Sequence, residues 1–567
     1  MEIAGLVVSV ASLVGLFETC SKLYDRVSSA KAYLEDSADL GALLEIEKGR
    51  FAELRHEIEG IVNPSGADSP MTNNNQLIET TANNELEIEI EGDSRIQFIG
   101  KILRLVERRL VEAERLISKY DAEPGTASQS TSGSRAKLFG FVSKKLRPVR
   151  WATGDKAALD NLVEKLRRLN KGLERQLPQP LLPRLRLGFA TSQILPADPQ
   201  KLQSIENASL QAGYGILSKG AAVRLACLSQ EMALTTTQKD LDHDFHIQPS
   251  DVEISSIPDS SLRYLTGFMQ SASRDVLIER RSAFQTTLPK AAANRLNRLV
   301  HVLKSMHTDP REDQWCKDVD SKLMNFGVLY CVGWITPDNQ DFDTIDLVFS
   351  YPSNNRRPPI SMHSYLRLRL ENKIPRNLLV CSRPPLGARF NLALGLARLY
   401  ANFISVGYLH RGINSHNILF FSNDINQPYL VGVAEARPDQ IPHQSSLLST
   451  DYMDRELYWP WCTVTRESST EPSTASWCTA TDLYGLGVVL VEIGHWRTAS
   501  NICGDASVQE FHETLLPRAV DKLGYLMGDL YRDVARWCFN AKRDIFGLQM
   551  YKQYSAMVLA QLERCSA

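Results

Sequence analysis

Apolar residues recur at helical spacing from the start of the chain. Ile3, Leu6, Val7, Val10, Leu13, Val14 and Phe17 follow the i, i+3, i+4, i+7 rhythm of one helical stripe. Gly5, Ser9, Ser12 and Gly15 lie mainly on the opposite side, a small-residue face interrupted by Val8 and Leu16. A second periodic run extends from Leu40 to Ile61. A polar break rich in Pro, Gly and Asn follows at Asn63–Gln76 and reads as a surface loop. A third run, Ile96–Tyr120, keeps Ile99, Ile102, Leu103, Val106, Leu110 and Ala113 in phase, and the low-complexity stretch Glu123–Ser134 ends it. The last run, Lys156–Leu177, stops at Pro178, Pro180 and Pro183, which cannot continue a helix. The first 180 residues are therefore predicted to form one helical bundle.

Residues 184–250 are mixed and weakly periodic, and read as a connection with some helix. From about 255 the texture changes. Short strand-like runs occur at Arg274–Ile278, Phe326–Trp334 and Ile345–Ser350. A long helix then carries Leu392, Leu396, Leu399, Phe403 and Val406, and an apolar helix begins near Asp482. Strands first and helices later describe an α+β domain. The expected division is a bundle over 1–185, a connecting segment over 186–254 and a bilobal α+β domain over 255–567.

The chain has 567 residues, 43% hydrophobic and 23% charged, which excludes a wholly disordered, collagenous or coiled-coil protein. Lys and Arg total 64 against 66 Asp and Glu, so no global charge favours nucleic acid. The ten cysteines show no paired CxxC spacing, which argues against a disulfide framework or zinc site and for a reducing compartment. No stretch reaches the roughly 18 uninterrupted apolar residues of a membrane span. Glu2 stands where a secretory signal would carry Lys or Arg, so a cytoplasmic chain is expected.

The run Tyr408-Leu-His-Arg-Gly-Ile-Asn-Ser-His-Asn-Ile-Leu-Phe resembles the protein-kinase catalytic loop, H-R-D-L-x-x-x-N. A long helix precedes it, and a turn (Ser422–Pro428) and a strand (Tyr429-Leu-Val) follow. About 50 residues later, Asp482-Leu-Tyr-Gly-Leu-Gly is similar to the kinase motif D-x-x-S-x-G, whose Asp braces the catalytic-loop backbone. On that resemblance Asp482, Gly485 and Gly487 are structural, and Ile345-Asp-Leu-Val-Phe-Ser-Tyr-Pro enters the hinge between two lobes.

The chemistry departs from the pattern. Phosphoryl transfer needs positioned phosphates, magnesium and a carboxylate at the acceptor hydroxyl. His410 and Arg411 are kept, but the acceptor Asp position is Gly412. Asn417 is kept, while its metal-binding partner, the Asp of D-F-G, aligns with Gly432 in Val431-Gly-Val-Ala. A neutral amide alone is a poor magnesium ligand. Residues 250–280 contain a single glycine, Gly267, so no Gly-rich phosphate cover exists. For the V-A-I-K lysine, Val276-Leu-Ile-Glu-Arg-Arg offers Arg280 or Arg281, and Ser282–Asp309 contains no Glu to pair with it. Loss of the base and the metal carboxylate together should cost several orders of magnitude in rate, because this catalysis is electrostatic positioning. A catalytically inactive, pseudokinase-like domain is the expectation. No cofactor or metal is expected, and any residual ATP contact would fall to Arg280, Arg281 and Asn417. Glu435 and Asp424 are expected on a solvated surface, His410 under the loop, and His416 as an exposed polar residue. Trp459, Trp461 and Trp477 are expected to pack within the larger lobe.

The opening Met1-Glu-Ile-Ala-Gly-Leu-Val-Val-Ser-Val-Ala-Ser-Leu-Val-Gly-Leu-Phe resembles fungal HeLo domains, the helical bundles of prion-inhibition and heterokaryon-incompatibility proteins. Leu43-Leu-Glu-Ile-Glu-Lys-Gly-Arg-Phe and Lys145-Leu-Arg-Pro-Val-Arg-Trp-Ala-Thr-Gly-Asp-Lys are similar to later helices of the same family. The resemblance implies a membrane-targeting, cell-death-inducing module whose first helix leaves the bundle. Ile3, Leu6, Val7, Val10, Leu13, Val14 and Phe17 are then its membrane contacts. Residues 3–17 would span only about 22 Å against a hydrocarbon core of about 30 Å. For the resting state a buried core helix is expected, its small face letting neighbours approach. Residues 135–151 add Arg135, Lys137, Lys144, Lys145, Arg147 and Arg150 among apolar residues, a pattern open to an anionic membrane, nucleic acid or plain solvent. The whole architecture is similar to animal necroptosis executors that join a four-helix bundle to a pseudokinase. It implies a fungal signalling protein with protein partners, self-association and conditional membrane binding. A divergent ATP-dependent kinase and a plain interaction scaffold are the rivals.

Overall fold

The computed structural model describes residues 9–29, 38–62, 85–121, 155–235, 244–255, 264–282, 289–307, 324–336, 344–352, 358–368, 383–422, 424–439, 455–461 and 477–566. They divide into two compact units, Met1–Phe189 with Asn207–Gly213, and Ala190–Glu206 with Tyr214–Ala567.

The first unit is helical. Its helices α1 (Val10–Ser29), α2 (Ala38–Val62), α3 (Glu85–Asp121) and α4 (Lys156–Glu174) share one apolar core. Helix α1 contributes Leu13, Phe17, Cys20, Leu23, Tyr24 and Val27; Leu13 and Phe17 belong to the stripe predicted by spacing, and Cys20 to Val27 continue it beyond the predicted run. Burying each large apolar side chain contributes about 1.5–3 kcal/mol, enough to hold a helix whose own propensity is modest. Cys20 is fully buried, with its thiol on the Leu103 carbonyl, and burial pushes that thiol up to about 12. The small face behaves otherwise than expected. Ala11, Ser12 and Gly15 are exposed, and a Cβ at Gly15 would meet open space. Leu13 and Phe17 make the contacts, so no neighbour needs Gly15 to come close; Gly5 lies outside the described residues.

Two polar clusters lie inside this apolar unit. Asn170 donates to Glu47 Oε2 at 2.8 Å, to the Glu47 carbonyl at 3.1 Å and to the Tyr24 hydroxyl at 3.4 Å, tying α4 to α2 and α1. Glu174 accepts from Arg50 and Arg186. Burial raises the Glu174 carboxyl, but the two guanidiniums outweigh it and hold the group below its ordinary value.

The second unit is mixed. Strands β1 (Val252–Ile254), β2 (Tyr264–Met269), β3 (Arg274–Ser282), β4 (Cys331–Ile335) and β5 (Thr344–Ser350) form an antiparallel sheet in the order β1-β2-β3-β5-β4. Three further helices, α5 (Leu182–Ile194), α6 (Pro199–Ala212) and α7 (Gly215–Thr235), precede it in the chain, the residues of α5 and α6 being divided between the two units, and the segment left as a connection by the sequence pattern is mostly helix. Helix α7 is bound into this unit. Arg224 donates to the Val406 carbonyl at 3.0 Å, and Arg298 on α8 (Pro289–Met306) donates to the Ser229 carbonyl at 2.9 Å. Beyond the sheet come β6 (Ile360–Ser361), α9 (Met362–Leu368) and the long helix α10 (Leu386–Ser405). Then follow the short strands β7 (Tyr408–Leu409), β8 (Ile418–Phe420), β9 (Tyr429–Leu430) and β10 (Arg437–Pro438). Strands β7 and β10 pair with each other, and β8 lies between β6 and β9. Helix α11 (Thr479–His495) is buried almost throughout, which its near-continuous apolar sequence requires. Among the later helices are α12 (Ala499–Cys503), α13 (Leu516–Met527) and α14 (Asp529–Phe539).

Candidate functional site

The segment Tyr408–Asn417 is built as a braced loop. Asp482, at the start of α11, accepts from the backbone N–H of His410 at 2.8 Å and of Arg411 at 3.0 Å, and from Trp477 Nε1 at 2.9 Å. Burial pushes the Asp482 carboxyl up to about 6, while these three donors pull the other way. Arg411 has φ 63, a left-handed conformation that a non-glycine residue adopts only when its surroundings hold it there. Gly485 explains how α11 comes so close. A Cβ there would lie 2.5 Å from the Ile413 carbonyl oxygen, and one at Gly487 would lie 3.0 Å from the Phe539 ring. His410 is fully buried under the loop, edge-on to Phe403, and accepts the Gly412 N–H at 3.2 Å.

Asn417 lies at the centre of the arrangement and its polar atoms are engaged. Its Nδ2 donates to the Gly412 carbonyl at 2.6 Å, its backbone N–H to Asn414 Oδ1 at 3.0 Å, and its Oδ1 accepts from the Tyr264 hydroxyl. Gly432 stands against it with φ 82, and a Cβ there would fall 2.3 Å from Asn417 Nδ2. A Cβ at Gly412 would likewise lie 2.9 Å from that nitrogen. The two positions without a side chain are thus packed shut by the asparagine between them.

Of the two arginines proposed as residual nucleotide contacts, Arg280 points elsewhere. It makes a two-pronged ion pair with Asp346 on β5, with distances of 3.0 and 2.8 Å. Arg281 lies in β3 opposite Ile345, and its side chain is outside the described residues. The residue that faces the loop is Glu279, fully buried, whose Oε2 accepts the Gly432 N–H at 3.0 Å. Strand period explains the difference. Val276 and Ile278 pack into the sheet's apolar cluster, so Glu279 emerges on the other face, directly opposite Tyr264 on β2. The signal was present: Val276-Leu-Ile-Glu279 fits V-A-I-K position for position, with Glu in place of Lys.

Other expectations were partly mistaken. Glu435 is buried rather than solvated, whereas Asp424 is exposed and caps the turn by accepting from the Asn426 N–H at 2.9 Å. His416 is half-buried and stacks on His363 with centroids 3.7 Å apart. The tryptophans do pack internally: Trp459 meets Trp477 edge-on at 5.4 Å, and Trp461 stacks on His512. Among the described residues no cluster of three or more His, Cys, Asp or Glu is placed to hold a metal ion.

In the first unit, Leu13 and Phe17 are in the core, Val10 and Val14 are half-buried, and Ile3, Leu6 and Val7 lie outside the described residues, as does the basic stretch 135–151. Among the described residues no helix is long and apolar enough to cross a membrane.

Comparison with protein families gives one result for this bundle. Residues 5–205 match the HeLo family, prion-inhibition and propagation. The match covers α1 to α5 and the first half of α6. The HeLo match ends before the sheet-containing part of the chain begins. No curated protein matches the sequence.

Proposed function

We propose that this is a signalling protein of the fungal incompatibility type, in which a kinase-like C-terminal domain without phosphoryl-transfer activity regulates a HeLo bundle that acts on membranes. One observation carries the C-terminal half of the reading. Asn417 bonds Tyr264 and Gly412, and Glu279 bonds Gly432, which packs against Asn417, where a kinase would hold phosphates and magnesium. An acidic side chain at the lysine position repels phosphate instead of gripping it, and no carboxylate stands at the base position. The braced loop and the Asp482 contacts are those expected of a kinase-like scaffold kept for its shape.

The test is a melting series with magnesium and ATP on the full chain. A saturating nucleotide at a hundred times its dissociation constant stabilises a binder by about 2.7 kcal/mol. The expected result is no saturable shift, and a saturable one would sink the closed-cleft reading. The HeLo half is tested by dye release from anionic liposomes, comparing residues 1–213 with the full chain. Release by the shorter protein and restraint by the longer supports regulation, and intact liposomes in both cases end it.

Glu279 favours a second reading, a divergent kinase in which Glu279 and Asn417 hold a cation after Tyr264 swings away. Labelled-phosphate transfer that disappears in both Asn417→Ala and Glu279→Gln would select it.

A further inference from the structure

Helix α3 carries a second pattern on the side turned away from the core. Ile99, Ile102, Leu103, Val106, Leu110 and Ala113 line its buried side. On the opposite side Lys101, Arg104, Arg108 and Arg115 are all exposed. At about 100° per residue these four cations share an arc of about 60° facing away from the core, along about 21 Å of helix. Phe98 and Leu105 stand one above the other on the edge of that arc, 49% and 44% exposed. Glu112 continues their row and is paired with Arg109 at 2.8 Å.

The stability of the bundle does not call for this face. Other cations of the unit meet carboxylates: Arg26 meets Glu114 at 3.0 Å, Lys48 meets Asp25 at 2.9 Å and Arg168 meets Glu164 at 3.1 Å. Among the described residues Lys101, Arg104, Arg108 and Arg115 meet none. Arg104 and Arg108 are four residues apart, a spacing at which like charges repel, and Phe98 and Leu105 leave apolar area in water. An anionic bilayer relieves both costs at once. Its headgroups offer negative oxygens to the cations, and its interface takes up the phenyl ring and the leucine. A nucleic acid would answer the charges alone and leave Leu105 in water.

We propose that Phe98, Lys101, Arg104, Leu105, Arg108 and Arg115 on the outward face of α3 dock the intact bundle onto an anionic phospholipid bilayer. The helix lies along the interface, its cations at the headgroups and its two apolar side chains just below them. Leu13 and Phe17 remain in the core, so docking asks nothing of α1. The inference rests on the membrane reading of the bundle given above and names the lipid and the face, with no residue of the first helix involved.

The experiment floats the full chain with phosphatidylcholine vesicles, with and without phosphatidylserine. Recruitment is expected only with phosphatidylserine, and added salt should weaken it. The double variant Arg104→Glu with Arg108→Glu should lower partitioning at least tenfold, and so should Phe98→Ser with Leu105→Ser, with melting to show that the fold is kept. Lys542→Glu with Lys552→Glu, an equal change of charge at exposed positions of the second unit, should leave it unchanged. Equal recruitment by the two vesicle types overturns the face. So does recruitment that the α3 variants leave intact, or that the Lys542 and Lys552 changes weaken as much. Duplex RNA bound by the wild type and lost by the arginine variant, without vesicle recruitment, assigns the face to nucleic acid and overturns it too. Dye release reads the earlier proposal separately. Vesicles recruited through α3 but left intact uphold this face while that proposal falls, and release that both α3 variants leave unchanged overturns the face alone.

Discussion

Glu174 illustrates how one side chain sets an acid limit. Its carboxyl is held below the ordinary glutamate value of 4.5 by Arg50 and Arg186, so the folded form binds its proton less readily than the unfolded one. The stabilisation is therefore present above that value and lost as pH falls through the depressed one. Glu174→Gln should cost about 3 kcal/mol at neutral pH, because it leaves two guanidiniums facing a neutral amide. Hydrogen exchange along Lys156–Glu174 would report that loss, and the acid-induced rise in exchange below about pH 4.5 should flatten in the variant. Gly485 is a steric counterpart. A methyl 2.5 Å from the Ile413 carbonyl must push α11 off the loop, so Gly485→Ala should lower stability by about 1–3 kcal/mol, read as a lower Tm of the C-terminal transition.

Among elements, strand β3 shows what a pattern does and does not carry. The strand itself was legible from Arg274–Ile278, and its boundary differs only by a longer C-terminal end. Which residue meets the loop was not, because Glu279, Arg280 and Arg281 are consecutive and pleat alternation alone selects Glu279; a single step along a strand reverses the face. Helix α7 was missed for another reason. Its apolar residues surround the whole axis, so no amphipathic stripe announces it. Helices α1 to α4 were the most legible, being long and periodic. The same geometry limits repair of the Asn417 site. Gly432→Asp asks for φ 82 and a Cβ 2.3 Å from Asn417 Nδ2, so it should destabilise the domain and confer no phosphate transfer, a result checked by melting and by labelled ATP. Tyr264→Phe removes the hydroxyl's bond to Asn417 and should be tolerated within about 1 kcal/mol.

For the whole molecule, the HeLo unit and the sheet-containing unit differ in how they are held together. The first is one apolar core with two polar clusters inside it, and the second adds a loop braced by Asp482. The seclusion of Cys20 offers a practical consequence. A thiolate is the species that alkylates, and this thiol is both sealed from solvent and held protonated. While α1 stays packed, iodoacetamide should leave Cys20 untouched, and the rate at which mass spectrometry finds it carboxamidomethylated becomes a stopwatch for the departure of the first helix. Activating conditions that leave this clock running no faster would mean that the helix never lets go.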